Sequence, residues 1–133
     1  MKTHQYELID EKVFEHEFDN GLKLFIIPKP GFQKTYVTYT TQFGSLDNHF
    51  KPIGSQQFVK VPDGVAHFLE HKLFEKEDED LFTAFAEENA QANAFTSFDR
   101  TSYLFSATSN IESNIKRLLN MVETPYFTEE TVN

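Results

Sequence analysis

The chain has 133 residues and a formal net charge of −9, from 12 Lys and Arg against 21 Asp and Glu. This acidic balance argues against nucleic acid as a partner, because phosphates would be repelled and no basic patch compensates. Cysteine is absent, which excludes disulfides and thiolate metal sites, and no apolar run approaches about 18 residues, so we expect a cytoplasmic protein with no membrane partner.

The first half of the chain is predicted to form strands and a long loop. After a polar lead-in over residues 1–12, two short strands are predicted at 13–18 and 22–27. The Asp-Asn-Gly segment between them favours a hairpin turn, because Asn and Gly tolerate positive φ. Residues 34–43 are rich in β-branched and aromatic side chains and predict a third strand. Residues 44–62 hold two Gly and two Pro and are expected to form a loop.

Helices and two more strands are predicted for the second half. No Pro or Gly interrupts residues 65–76, and Asp63 is expected to accept hydrogen bonds from the N–H groups of the first turn of this helix. An acidic run precedes a second helix, predicted over 81–90. Its negative charges are favourable near the N-terminus of that helix. Two further strands are predicted over 92–98 and 102–107.

The last part of the chain predicts a third helix and the start of a fourth. Ser109-Asn-Ile-Glu112 has the pattern of a capping box and opens a helix that runs through Met121 or Val122. Residues 128–133 are expected to begin another helix. Because strands and helices do not alternate strictly, we expect an α+β fold, a largely antiparallel sheet with helices packed on one face, in a single domain over 1–133.

The helix predicted over residues 65–76 carries two imidazoles and a carboxylate on one face. His67, Glu70, His71 and Phe74 cluster on this face, because residues three and four apart lie on the same side of a helix. Histidines at this spacing can both reach one zinc ion, and the glutamate is placed to take a proton from a water that the ion activates. The pattern His-x-x-Glu-His is that of the inverzincins. The apolar residues of the helix form a broad arc of their own: Val65, Ala66, Phe68, Leu69 and Leu73.

The motif alone leaves an alternative open. A surface helix would give the same pattern if its two histidines were solvated and its glutamate paired with a neighbouring side chain of the same helix.

Three segments resemble the family of pitrilysin, insulin-degrading enzyme and mitochondrial processing peptidase. Gly64-Val-Ala-His-Phe-Leu-Glu-His-Lys-Leu-Phe74 is similar to its zinc-motif helix, and Gln91-Ala-Asn-Ala-Phe-Thr-Ser-Phe98 to its Asn-Ala-aromatic-Thr-Ser strand. Pro125-Tyr-Phe-Thr-Glu-Glu130 is similar to the Pro-x-Phe segment before the family's next helix. The matches occur in the family's order, and the continuation Lys72-Leu-Phe-Glu75 looks most like bacterial, cytoplasmic members. The resemblance implies a half-domain of the processing-peptidase type.

The resemblance also implies a zinc site on the motif helix. His67 and His71 would be ligands of one zinc ion, and Glu70 would be the general base. The family's third ligand is a glutamate on the helix after the Pro-x-Phe segment, and no glutamate here occupies that position. We therefore expect the third ligand beyond Asn133. The chain is interpreted as the N-terminal part, truncated at its C-terminal end, of a larger zinc metalloendopeptidase, and by itself it is expected to be inactive.

The resemblance implies a peptide substrate bound along a strand. Asn93 and Ala94 would hydrogen-bond the backbone of an extended peptide, and Phe95 would line a side-chain pocket. The expected partners are a peptide or short unfolded polypeptide, the remaining domains of the same protein, and a homodimer mate or paired subunit. The alternative is a non-catalytic structural or substrate-holding subunit of a peptidase pair. Such members usually lose the histidines and glutamate, so the enzyme is favoured.

Overall fold

The computed structural model describes residues 1–132. The chain forms two compact units, the first over Met1–Gln33 and the second from Lys34 onward. In the described part of the chain, no helix has both the length and the apolar character needed to cross a membrane.

The first unit is a three-stranded antiparallel sheet in the order β1–β2–β3. Its strands are β1 at Lys2–Tyr6, β2 at Glu11–Glu17 and β3 at Lys23–Ile26. The predicted hairpin between β2 and β3 is confirmed, and it is closed by the Phe18 N–H, which donates to the Leu22 carbonyl at 2.9 Å.

The prediction of a polar lead-in over residues 1–12 was wrong. β1 pairs along its whole length with β2, from Lys2 opposite Glu15 to Tyr6 opposite Glu11. All five residues of β1 are exposed. Its sequence, Lys-Thr-His-Gln-Tyr, lacks the alternation of apolar and polar residues that predicts a half-buried strand. It is formed by pairing with its neighbour rather than by burial.

The second unit is built on an antiparallel sheet in the order β4–β8–β7. The strands are β4 at Thr35–Thr41, β7 at Ala90–Thr96 and β8 at Thr101–Ala107. These three strands were predicted, with ends shifted by up to two residues. β8 lies in the middle of the sheet, and its alternate residues Tyr103, Phe105 and Ala107 are buried. β7 is therefore an edge strand of this sheet among the described residues.

The helices are α1 at Val65–Leu73, α2 at Leu81–Glu87, α3 at Ile111–Glu123 and α4 at Glu129–Val132. α1 packs on β7 and β8, α2 on β7, and α3 on β8 and β4. The predicted α+β architecture with helices on one face of the antiparallel sheet is confirmed. The core between helices and sheet is made of Phe74, Leu81, Ala84, Phe85, Ala90, Tyr103, Phe105, Ala107, Leu118 and Met121.

The predicted N-terminal caps of α1 and α3 were wrong. α1 follows Gly64, whose φ of +88° is left-handed, and no side chain caps its first turn. Asp63 instead accepts a hydrogen bond from the Asn48 side chain at 2.9 Å. α3 follows Asn110, also left-handed at φ +54°, so Ser109 is not its cap. A capping residue usually has β-region φ and ψ, whereas the residue before each of these helices is left-handed, and Gly64 has no side chain.

α1 also ends three residues earlier than predicted. After Leu73 the chain turns into a short segment in which Glu75 and Asp80 form an antiparallel bridge. Asp80 then caps α2, because its carboxylate accepts from the Phe82 N–H at 3.2 Å. The acidic run therefore supplies the start of α2, as its composition predicted.

The predicted loop over 44–62 contains a short antiparallel pair. β5 at His49–Phe50 pairs with β6 at Val59–Lys60. The start of the segment is tied to the end of the β7–β8 hairpin, since the Ser45 N–H donates to the Ser97 carbonyl at 2.9 Å. Asn48, in the same segment, donates from its side chain to Asp63, which lies just before α1.

Candidate active site

Two histidines and a glutamate come together on α1. His67 and His71 are exposed, whereas Glu70 is buried, with 9% of its surface accessible. Each of the three offers a potential ligand atom, and these atoms lie within 4.8 Å of one another. Among residues 1–132 this is the group of three or more His, Asp or Glu side chains with the geometry for a metal ion.

The two imidazoles lie close to the separation that a shared zinc ion requires. Nε2 of His67 and Nε2 of His71 are 3.0 Å apart. Two nitrogens bound to one tetrahedral zinc at about 2.0–2.1 Å lie about 3.3 Å apart, so a small movement would admit the ion. The donor set is also suitable, because neutral imidazole nitrogens are common zinc ligands.

Glu70, unlike the two exposed histidines, is buried and contacts the sheet. Its Oε2 accepts a hydrogen bond from the hydroxyl of Thr96, the last residue of β7. A buried carboxylate needs such a partner, because leaving it without one would be costly. Thr96 lies 26 residues away in sequence, and no local pattern linked it to Glu70. Its sequence signals are its place in the Asn-Ala-aromatic-Thr-Ser segment and its spacing from Ala92 and Ala94, which lie against the core.

Tyr103 is a second titratable group beside Glu70. Burial raises the pKa of its phenol to about 12, and the nearby charge of Glu70 adds to the effect. Only 3% of Tyr103 is accessible. The phenol is therefore neutral at physiological pH.

The predicted substrate-binding residues lie on β7, the edge strand. The Ala94 N–H donates to the side-chain oxygen of Asn93 at 2.8 Å, so this backbone donor is held by a neighbouring side chain. Side chains alternate along a strand, so Asn93 and Phe95 lie on the sheet face opposite Ala94 and Thr96. Phe95 is 47% accessible. The structure thus brings Thr96 to the motif helix and leaves Asn93 and Phe95 on the other face of the strand.

The predicted apolar arc of the motif helix is only partly buried. Ala66 is buried, whereas Phe68 is 40% accessible, with the Lys72 Nζ atom 5.8 Å from the centre of its ring. Phe74, which the helical wheel grouped with the histidines, is instead buried and stacks on Phe82. Because α1 ends at Leu73, the periodicity of a longer helix misplaced Phe74.

Comparison with known proteins gives a consistent result. Residues 52–133 match the family described as insulinase (peptidase family M16). The chain is 54% identical, over 132 residues, to a Bacillus subtilis (strain 168) protein named "uncharacterized zinc protease YmfH", covering 99% of this chain and 31% of that one. It is 30% identical over 123 residues to human insulin-degrading enzyme, covering 85% of this chain and 11% of the human enzyme.

A solved structure agrees in fold. The M16-like peptidase from Alicyclobacillus acidocaldarius superposes with a TM-score of 0.84 at 38% identity, covering 92% of this chain and 28% of that one. The chain thus spans less than a third of the length of the relatives it matches. With more than half of its residues matched to one family, the chain belongs to the insulinase family of peptidases, M16.

Proposed function

We propose that this chain is the metal-binding part of a zinc metalloendopeptidase that hydrolyses peptides or short unfolded polypeptides. The observation that carries the proposal is the 3.0 Å separation of the His67 and His71 Nε2 atoms, with the buried carboxylate of Glu70 on the same helix. The fit of two imidazoles to one ion favours a zinc site over a solvated surface helix. Membership of a peptidase family supports the same reaction.

In this proposal His67 and His71 hold one zinc ion, and the third protein ligand comes from outside residues 1–132. Catalytic zinc sites usually have three protein ligands. The only clustered candidates in the described chain are the two histidines and Glu70, and Glu70 is assigned to proton transfer. The 133-residue chain by itself is therefore expected to bind zinc weakly and to cleave no peptide.

Glu70 is the proposed general base. When bound, zinc would supply Lewis acidity and make a water a better nucleophile. The Glu70 carboxylate takes the proton of the attacking water and passes it to the leaving amine nitrogen. Burial beside the sheet, with one oxygen already bonded to Thr96, leaves the second oxygen available for this transfer.

The peptide is proposed to add to the free edge of β7. Asn93 and Ala94 would bond its backbone, and Phe95 would contact its side chains. The Ala94 N–H is occupied by the Asn93 side chain. Binding would therefore exchange this internal hydrogen bond for one to the peptide, with the Asn93 amide free to bond the peptide in turn. Recognition of this kind selects extended backbone rather than a particular sequence.

Metal analysis of the full-length protein tests the zinc site. We expect about one zinc per chain, lost in His67→Ala and in His71→Ala. His4→Ala is the matched control, because His4 is paired with Glu15 in the first unit and should leave the zinc in place. Zinc retained in both ligand variants would refute the proposed site.

Peptidase assays test the reaction. Glu70→Gln should retain zinc and lose turnover of an unfolded peptide. A full-length protein that holds zinc but has no turnover would instead favour a substrate-holding subunit. Cleavage by the 133-residue chain, at a level abolished by Glu70→Gln, would show that no further ligand is needed.

A further inference from the structure

We propose that Thr96 is a positioning residue that sets the orientation of the Glu70 carboxylate and couples it to the strand that binds the peptide. This inference rests on the proposed peptidase function. It assigns a role to a residue that no motif spacing had connected with the helix.

The contact joins a helix and a strand that are distant in sequence and pack against each other in the fold. The Thr96 hydroxyl donates to Oε2 of Glu70, and this is the side-chain hydrogen bond that Glu70 receives within residues 1–132. The terminal torsion of a glutamate is broad, so packing alone does not fix the direction of the carboxylate plane. A donor fixed to the sheet removes that freedom and leaves the other oxygen for the proton transfer.

Thr96 is itself held firmly. It pairs with Thr101 at the end of the β7–β8 hairpin, where the Ser97 N–H donates to the Arg100 carbonyl at 2.8 Å. The hydroxyl of Thr101 donates to the Phe43 carbonyl at 2.7 Å and is buried. The donor therefore has a defined position relative to the sheet before any substrate binds, which is what preorganisation of a catalytic base requires.

The same strand holds the peptide and the base. Asn93, Ala94 and Phe95 immediately precede Thr96 on β7. A peptide that pairs with this edge adopts a register relative to β7, and Thr96 fixes Glu70 relative to the same strand. The scissile bond and the proton acceptor are then both positioned relative to β7, and the Thr96 hydrogen bond adds to the packing of α1 on the sheet.

Steady-state kinetics of the full-length protein test this role. Thr96→Val keeps the shape and removes the donor, so kcat should fall about 10- to 100-fold, less than the roughly 10²- to 10⁴-fold that general-base catalysis contributes, because the base itself remains. KM and zinc content should stay within about 2-fold, and Thr96→Ser, which restores the hydroxyl, should recover most of kcat. Thr40→Val is the matched control. It removes a hydroxyl that is bonded to Ser102 in the same sheet, but Thr40 lies on β4, which does not pair with β7.

Thermal unfolding of the zinc-free protein gives a readout independent of turnover. Thr96→Val should lower Tm by several degrees when Glu70 is present, and by less than about one degree in a Glu70→Ala background, because the lost contact is then already absent. Equal losses in both backgrounds, or wild-type kcat in Thr96→Val, would overturn the positioning role alone. Absence of zinc or of turnover in the unmodified protein would overturn the peptidase function and this assignment with it.

Discussion

The side chain of Lys76 reaches the C-terminal end of α3, where its Nζ atom lies 3.4 Å from the Met121 carbonyl oxygen and also donates to the carbonyl of Thr124. The last turn of α3 has no basic residue of its own. The free carbonyls of the helix end are therefore satisfied by a lysine from the segment that follows α1. Burial lowers the pKa of this lysine.

Replacement of Lys76 should loosen the attachment of α3. Lys76→Met keeps the aliphatic stem but leaves the carbonyl oxygens without their donor, so we expect the free energy of unfolding to fall by about 1–2 kcal/mol. Urea denaturation of the chain measures this. Lys116→Met removes an exposed pair with Glu112 one turn along α3 and should cost at most about 0.5 kcal/mol. Equal effects of the two variants would contradict the capping role.

Gly44 should not tolerate a side chain. A Cβ atom at this position would lie 2.5 Å from the backbone of Phe98, Asp99 and Arg100, so the β7–β8 turn would have to move. Gly44→Ala is expected to lower the free energy of unfolding by about 3 kcal/mol. Gly54→Ala is the control, because nothing lies within 4 Å of its Cβ position and only the positive φ is strained, at about 1 kcal/mol. Chemical denaturation compares the two.

Glu88 should contribute to stability in a pH-dependent way. A hydrogen bond from Ser113 is the main cause that lowers the pKa of Glu88 from its ordinary value of 4.5; burial opposes it, and the hydrogen bond and charge of Arg117 lower the pKa further. Because the folded pKa is lowered, the stabilisation is present above pH 4.5 and is lost as the pH falls through the lowered value.

Urea denaturation at a series of pH values checks this behaviour. Glu88→Gln should be destabilised relative to the wild type at neutral pH, and the difference should shrink in acid. Glu112→Gln, at an exposed carboxylate paired only with Lys116, should show a difference near zero throughout. A Glu88→Gln penalty that does not change with pH would show that the carboxylate charge is unimportant.

Tyr103 should stay protonated in the alkaline range where ordinary tyrosines ionise. Its pKa is raised to about 12, first by burial and then by the charge of Glu70. Because the folded state favours the neutral phenol, the stabilisation is full below the ordinary pKa of 10.0 and is lost as the pH rises toward 12. Ultraviolet titration of tyrosinate should lose its latest-ionising group in Tyr103→Phe, whereas Tyr36→Phe, at an exposed site, should leave that late step in place. An unchanged late step in Tyr103→Phe would refute the assignment.

What could be predicted from the sequence was mostly local. The spacing of His67 and His71 depends only on helical geometry, and their nitrogens do lie together. The strands β4, β7 and β8 carry β-branched and aromatic residues, and they were found with small shifts at their ends. The fold class followed from the order of these elements.

The failures came from features that depend on the rest of the chain. Gly64 and Asn110 are left-handed, and the side-chain caps predicted for the helices that follow them do not form. This backbone conformation depends on how the chain enters each helix. β1 exists because β2 pairs with it. The bond from Thr96 to Glu70 joins a strand to a helix distant in sequence, and only the folded sheet brings the two together.

β3 has a practical consequence for handling the protein. All four of its residues are exposed, among them Phe25 at 56%, and within residues 1–132 it is one of the two outer strands of its sheet. An apolar strand with unpaired backbone on one side is a template for polymerisation between molecules. Concentrated samples of this chain are therefore expected to gel or precipitate by pairing along the β3 edge. A charge placed on this strand, as in Phe25→Lys, is the simplest means of keeping them monodisperse.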